Sequence, residues 1–287
     1  MKTDDFIIFI LSHGRPNSVD TYKSLKKFGY TGEVAIVIDN EDKTAGQYCE
    51  NFGDQIIMFD KEQIAKTFDE GDNFGDRRAV VYARNACFEI AERLGKKYFM
   101  QLDDDYVDFR YKIDSSFSYI NRKPIKNLDN IIKALLVYYK TINAKSIAIA
   151  QGGDFIGGSE NGIFTSINQR RKAMNTFLCA VDRKFDFVGR INEDVNTYVW
   201  FQGQGNLFLT VPLVAIQQKA TQQNKGGMTD LYLDSGTYIK SFYSVMFAPS
   251  CVKVRMMGTR FSRLHHSISW DNAVPAIINE KYKKATP

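Results

Sequence analysis

Three consecutive aspartates, Asp103-Asp104-Asp105, are the residues whose types and spacing point most directly to chemistry. Side chains alternate along an extended chain, so Asp103 and Asp105 are expected to share a direction. Two converging carboxylates repel each other unless a cation joins them. Hard divalent ions such as Mg²⁺ or Mn²⁺ take oxygen ligands and bind where phosphates complete the shell. One reading is therefore a D-x-D metal site. The other is an acidic turn in which Asp104 or Asp105 caps a neighbouring element.

Three further clusters bear on the same chemistry. Arg84, in Ala83-Arg84-Asn85, lies among apolar positions of a helical pattern, and Gly75-Asp76-Arg77-Arg78 is expected at that helix's start. Helix N-termini and guanidinium forks both suit phosphate. For Arg77 and Arg78 the plainer reading is exposed charge balancing nearby acids. Asn192-Glu193-Asp194 supplies a carboxylate able to accept a proton from a hydroxyl, with Asp194 first and Glu193 second as the catalytic base. Local sequence alone favours a different role, with Asn192 as an N-cap and the acids in the first turn. Near the C-terminus His265 and His266 are adjacent, either as metal or diphosphate ligands or as surface residues. Lys253, Arg255, Arg260 and Arg263 make that segment the most basic of the chain and a candidate grip for an anionic acceptor.

Elements must position these groups, and the first half alternates strand and helix signals. Phe6 to Leu11 is a continuous apolar run, as expected of a strand buried on both faces. A helix carrying Val19, Tyr22, Leu25 and Phe28 follows, capped by Asn17 or Ser18 and stopped by Gly29. Val34 to Ile38 and Gln55 to Phe59 read as the next strands. Val80, Ala83, Cys87, Ile90 and Leu94 mark a long helix, and Tyr98 to Leu102 is a strand running into the aspartates. This order predicts an α/β fold with a mostly parallel, Rossmann-like sheet flanked by helices. Ligands of such sheets bind beyond the carboxyl ends of the strands. Ser12-His13-Gly14-Arg15, Asp39 to Asp42 and the aspartate triplet all fall there. Later, Leu128 to Ile142 and Glu193 to Phe201 read as helices, and Ser146 to Ala150, Thr176 to Val181 and Leu207 to Ile216 as strands. Gln217 to Thr229 is a candidate mobile loop. A single domain is expected over residues 1–287, with 1–110 binding the nucleotide and 111–287 the acceptor.

The bulk numbers set the outer bounds. The 287 residues suit one large α/β domain. Lys and Arg number 38 against 33 Asp and Glu, a net charge of +5 that permits an anionic partner without demanding one. The four cysteines, Cys49, Cys87, Cys179 and Cys251, contain no C-x-x-C pair, which argues against a zinc knuckle and for a reducing, cytoplasmic setting. The apolar run at residues 6–11 is too short for a membrane span and lacks the flanks of a signal peptide. No obligate protein partner is evident.

Taken in order, these pieces resemble the GT-A glycosyltransferases over residues 6 to 200. Ser12 to Arg15 match the polar nucleotide loop and Asp39 the acid ending the second strand. Ala83-Arg84-Asn85 match the "ARN" helix, Asp103 to Asp105 the D-x-D and Glu193-Asp194 the later acidic pair. The resemblance implies a nucleotide-sugar donor, with a UDP-sugar expected, contacted by Ser12, His13, Arg15, Asp39, Arg84, Asp103 and Asp104. It implies a divalent metal on Asp105 and Asp103, with His265 or His266 completing the shell, and inverting transfer with Asp194 or Glu193 as base. The triplet departs from the simple motif and leaves its register open. The C-terminal run, with His265-His266, Trp270, Val274-Pro275 and Ile277-Ile278, looks like that of phage DNA-modifying glycosyltransferases, relatives of the enzymes of base J formation. That likeness implies a DNA acceptor bearing a hydroxymethyl group on cytosine or uracil. The alternatives are transfer to a protein or saccharide, or a non-catalytic nucleotide-sugar or nucleic-acid binding module. The intact acidic set argues against the last.

Overall fold

The computed structural model describes residues 4–155, 158–161, 170, 175–219, 239–257 and 263–277. In the first half, β1 (Phe6–Leu11), α1 (Asp20–Lys27), β2 (Val34–Asp39), α2 (Ala45–Phe52), β3 (Ile56–Phe59), α3 (Lys61–Ala65), α4 (Val81–Arg93) and β4 (Tyr98–Asp103) follow in order. Then come β5 (Tyr106–Ile113), β6 (Tyr119–Pro124), α5 (Leu128–Thr141), β7 (Ala144–Gln151), β8 (Phe177–Ala180), α6 (Glu193–Gly203) and β9 (Leu207–Gln218). The last described elements are α7 (Ile239–Phe247), β10 (Val252–Met257), β11 (Arg263–Ile268) and α8 (Trp270–Ala273). No helix among the described residues is long and apolar enough to cross a membrane.

Nine strands form one sheet in the order β3-β2-β1-β4-β8-β7-β9-β5-β6, drawing on both halves of the chain. The expected parallel pairing holds for β3-β2-β1-β4 and again for β7-β9. Between and beyond them, β8 runs antiparallel to β4 and β7, and β5 runs antiparallel to β9 and β6. Because β8 is reversed against both neighbours, β7 and β9 point the same way as β4. The carboxyl ends of β1, β2, β4, β7 and β9 therefore share one edge.

Strand alternation divides the core between the two faces. Ile8, Ile36 and Leu102 pack with Leu25 of α1 and Leu135 and Leu136 of α5. Phe9, Val37 and Phe99 pack with Cys87 and Phe88 of α4 and Tyr198 of α6. Each large apolar side chain so buried contributes roughly 1.5–3 kcal/mol. A strand covered on both faces must be apolar throughout, which is why β1 reads FIIFIL with every position buried.

Several local expectations are corrected. No side chain caps α1; neither Asn17 nor Ser18 does so, and Val19 occupies the cap position. Helix α4 begins at Val81, after the Gly75 to Arg78 stretch, and Leu94 beyond its end is exposed. The extended chain stops at Asp103, and Asp104 and Asp105 form a turn into β5. Simple alternation therefore does not relate Asp103 to Asp105. Asn192 is not a side-chain cap for α6: it adopts φ +61° and makes no cap hydrogen bond. Within the candidate loop, Gln217 and Gln218 end β9, and residues 220–229 lie outside the described set.

Candidate active site

At the carboxyl end of β1, Ser12 Oγ donates to Asp104 Oδ2 at 2.6 Å and shares a 2.6 Å hydrogen bond with Tyr48 Oη. Arg15 Nη1 lies 3.3 Å from Asp104 Oδ1, and its backbone N–H donates to Tyr48 Oη. Asp104, expected among the donor contacts, is thus turned inward and is only 2% exposed. Burial pushes its carboxyl up to about 6 despite Arg15 and Ser12. Thr21 in the first turn of α1 ties the triplet from the other side: its Oγ1 donates to the Asp103 carbonyl at 2.5 Å, and its N–H donates to the Asp104 carbonyl at 3.0 Å.

Asp39, at the end of β2, is also buried. Its Oδ2 lies 2.7 Å from His13 Nδ1 and 3.3 Å from Lys61 Nζ. Burial raises its pKa, but the hydrogen bond from His13 and the charge of Lys61 outweigh that and hold the carboxyl below its ordinary range. The His13 side chain is 40% exposed. With Nδ1 on Asp39, its Nε2 makes no hydrogen bond among the described residues. Asp42 accepts from the Gly14 N–H at 2.8 Å and from both Thr44 donors, which fixes the loop at φ +70° on Gly14.

Arg84 is 1% exposed and joins the two acidic segments. Its Nε donates to Glu193 Oε1 at 2.8 Å and its Nη2 to Asp103 Oδ1 at 3.0 Å. The guanidinium lies over Phe177 and Phe187. Arg84 is therefore a clamp on two carboxylates, and its Nη1 makes no hydrogen bond among the described residues. Its neighbour Asn85 donates to the Phe187 carbonyl and accepts from the Phe187 N–H, at 3.0 and 2.7 Å, and so holds the loop leading to Glu193 against α4. Asn192 donates to Ser244 Oγ, Ser244 donates to Asn196, and Asn196 donates to the Val188 and Ile191 carbonyls. Arg190 secures the same loop through Asp72 at 2.8 Å.

The result is a set of acids gathered round one arginine. Burial, with repulsion from Asp105 and Asp194, outweighs Arg84 and raises Asp103 to about 6. Burial and Asp104 raise Asp105 to about 6, and burial with Asp194 and Asp103 raises Glu193 to about 7. Asp105 Oδ1 is buried without a hydrogen bond among the described residues. Asp194 accepts the Val195 N–H on Oδ1 at 2.8 Å, and its Oδ2 makes no hydrogen bond there. Among the described residues no three His, Cys, Asp or Glu side chains are grouped as a self-sufficient metal cage. The donor set present, an unsatisfied Asp105 oxygen beside the crowded Asp103, fits a hard cation whose remaining ligands are substrate phosphates and water.

Arg77 pairs with Glu41 and Arg78 with Asp76, as exposed charges do. On the β10-β11 ribbon Arg255 pairs with His265, Val254 with His266 and Lys253 with Ser267. Alternation puts Lys253, Arg255 and His265 on one face and the buried His266 on the other. Among the described residues neither histidine is grouped with the aspartates in a set of three metal ligands. Arg263 opens β11, and Arg260 lies outside the described residues. Thr21, Tyr48 and Lys61 were missing from the expected site, and Asp42 and Asn85 were named only as members of the Asp39 to Asp42 and Ala83-Arg84-Asn85 clusters. Of these, only the Asp42-x-Thr44 turn pattern and the pairing of Asn85 with Arg84 left a local trace.

None of the curated proteins matches this chain in sequence. Among solved structures, the chain is similar to glucosyl-3-phosphoglycerate synthase from Mycobacterium tuberculosis, determined with Mn²⁺, UDP and phosphoglyceric acid. The TM-score is 0.46 and the identity 10%, over 94% of this chain and 89% of that one. The family model of the TET-associated glycosyltransferases matches residues 6–227. That span runs from β1 through β9 and takes in the nucleotide-side loop, the Arg84 clamp, the aspartate triplet and the Glu193-Asp194 pair. The chain belongs to the TET-associated glycosyltransferases and is a glycosyltransferase.

Proposed function

We propose that this chain, working as one unit, moves a sugar from a nucleoside-diphosphate donor onto a hydroxymethylated pyrimidine in DNA, with inversion. The observation that carries the reading is the Arg84 bridge, which holds Asp103 of one segment and Glu193 of another at the carboxyl edge of the sheet. Membership of a TET-associated family supports the choice of acceptor.

The chain's own groups divide the work. The loop from Ser12 to Arg15 receives the nucleotide, and His13, oriented by Asp39, offers Nε2 to the base or ribose. Asp105 and Asp103 would hold a divalent cation, which when bound would supply positive charge against the leaving diphosphate. Asp194 takes the proton of the acceptor hydroxyl through Oδ2. The hydroxyl oxygen then bonds to the anomeric carbon while that carbon's bond to the diphosphate oxygen breaks. Glu193 is occupied by Arg84, so its part is to position the clamp. An unmodified pyrimidine ring offers no comparable hydroxyl, and a base within a duplex must leave the stack to reach the site.

Mass spectrometry of DNA nucleosides tests the reading, after incubation of hydroxymethylated and unmodified DNA with candidate donors, UDP-sugars first. A hexose-sized mass gain on the hydroxymethylated nucleoside alone is expected. Transfer to a protein or saccharide but to neither DNA would reject the acceptor and leave the transferase standing.

A further inference from the structure

We propose that a cavity of about 310 Å³ on β5, β6 and β9 is an anion subsite that seats a backbone phosphate of the acceptor strand, with the Lys112 ammonium as its charge. The proposal rests on the DNA reading above.

Lys112 is 6% exposed and lines the cavity with Arg110, Tyr119, Asn121, Phe155 and Gln217. Its Nζ donates to the neutral Asn121 Oδ1 at 3.0 Å and lies 4.5 Å from the Phe155 ring centroid. No carboxylate pairs with it among the described residues. Other buried cations are accounted for. Lys61 has Asp39, Arg84 has Asp103 and Glu193, and Arg190 has Asp72. Lys145 donates to two main-chain carbonyls. Buried charge is ordinarily paired, so a lone ammonium lining a cavity points to an anion from outside. Burial and the nearby Arg110 lower the Lys112 pKa, as expected of a cation lacking its counter-charge. Arg110 stands two residues away on the same strand face and is already held by Asp108.

The location fits an acceptor contact. Gln217 pairs with Asp108 just past a register shift in β5, and the Lys219 N–H donates to the Asp105 carbonyl. The wall of the cavity thus begins two strand residues, about 7 Å, from the chain segment that meets the aspartate triplet. Bulges of this kind re-aim side chains beside active sites. A second irregularity, between Tyr111 and Ile113 against β6, falls at Lys112 itself. A compact ammonium on a flexible stem suits a phosphate as a point charge.

The test compares the full chain with Lys112→Met and Lys112→Arg. Two acceptors are used: a hydroxymethylated oligonucleotide and the matching free nucleoside, which has no phosphate. For Lys112→Met, KM for the oligonucleotide should rise about tenfold or more, while KM for the nucleoside and for the donor stays put. The dependence of log binding on log salt, read by anisotropy of a labelled oligonucleotide, should flatten by about one unit. Lys112→Arg should behave nearly as wild type. Thermal stability should hold or rise in Lys112→Met, because an uncompensated buried charge is removed. If that variant does not fold, Lys112→Gln removes the same charge. An unchanged oligonucleotide KM, or a loss shared equally by nucleoside and donor, overturns the subsite and leaves the DNA reading intact. Failure of the wild type to glycosylate either acceptor overturns both.

Discussion

Arg84 spends its charge on two carboxylates from distant segments, and its removal leaves the buried Glu193 and the half-buried Asp103 beside Asp194 without that cation. Breaking such a pair by deleting one partner costs about 3–5 kcal/mol. Urea unfolding of Arg84→Ala should show a loss of that order; a change within experimental error would mean that the acids are solvated and the clamp is incidental. Asp105 presents the reverse case. Its Oδ1 makes no hydrogen bond among the described residues, so Asp105→Asn should fold with unchanged or slightly higher stability and lose most turnover. Full activity in that variant, or in excess chelator, would remove the cation from the mechanism. Asp194→Asn should lower turnover by ~10²–10⁴-fold with donor affinity nearly unchanged. A drop in melting temperature alone would return Asp194 to a structural role.

At the scale of elements, the loop from Phe185 to Asp194 decides whether the acidic pair faces Arg84. Gly189 sits at φ +80°, and a Cβ there would lie 2.2 Å from Asn196 Nδ2, the amide that ties the loop's carbonyls to α6. Gly189→Ala should therefore lower both melting temperature and turnover, with the strained backbone alone costing ~1–3 kcal/mol. Gly203→Ala, in open space at the end of α6, is the control and should do neither. The elements were legible in unequal degree. β1, β2 and β4 are apolar runs buried on both faces, so composition alone marks them. The reversed pairing of β8 and β5 depends on which distant strands they meet, and no local pattern encodes it. The same holds in the site. Asp103, Glu193 and Arg84 stand out by charge in apolar company, whereas Thr21 and Tyr48 are ordinary helix residues until the fold sets them against the triplet. The turn at Asp104 is only one of two readings of the sequence because three like residues look the same extended or bent. Only the Ser12 and Arg15 contacts distinguish the buried middle aspartate from its neighbours.

Over the whole molecule, these contacts make a sharp claim about pH. Asp103, Asp104 and Asp105 are raised to about 6 and Glu193 to about 7, from ordinary values near 4. Between those limits the folded chain keeps protons that the unfolded chain has released. Stability then falls as pH rises, because the unfolded state binds fewer protons. Asp39 and Asp72 are shifted downward, so their contributions are lost only in acid below that window and do not offset the trend. The protein without added cation should accordingly melt at a lower temperature near pH 7.5 than near pH 5. A divalent cation acts in the opposite sense, since it stabilises the ionised carboxylates and competes with their protons. The rise in melting temperature on adding Mn²⁺ with a nucleoside diphosphate should be larger near pH 7.5 than near pH 5, and Asp105→Asn should remove most of that difference. Calorimetry at the two pH values, with and without Mn²⁺, separates this from a general salt effect, because an equal concentration of a larger monovalent salt would raise both melts alike. A cation-induced gain that is equal at both pH values, or greater in acid, would show that the aspartate turn does not hold the metal and that the acids are crowded for the sake of the Arg84 clamp alone.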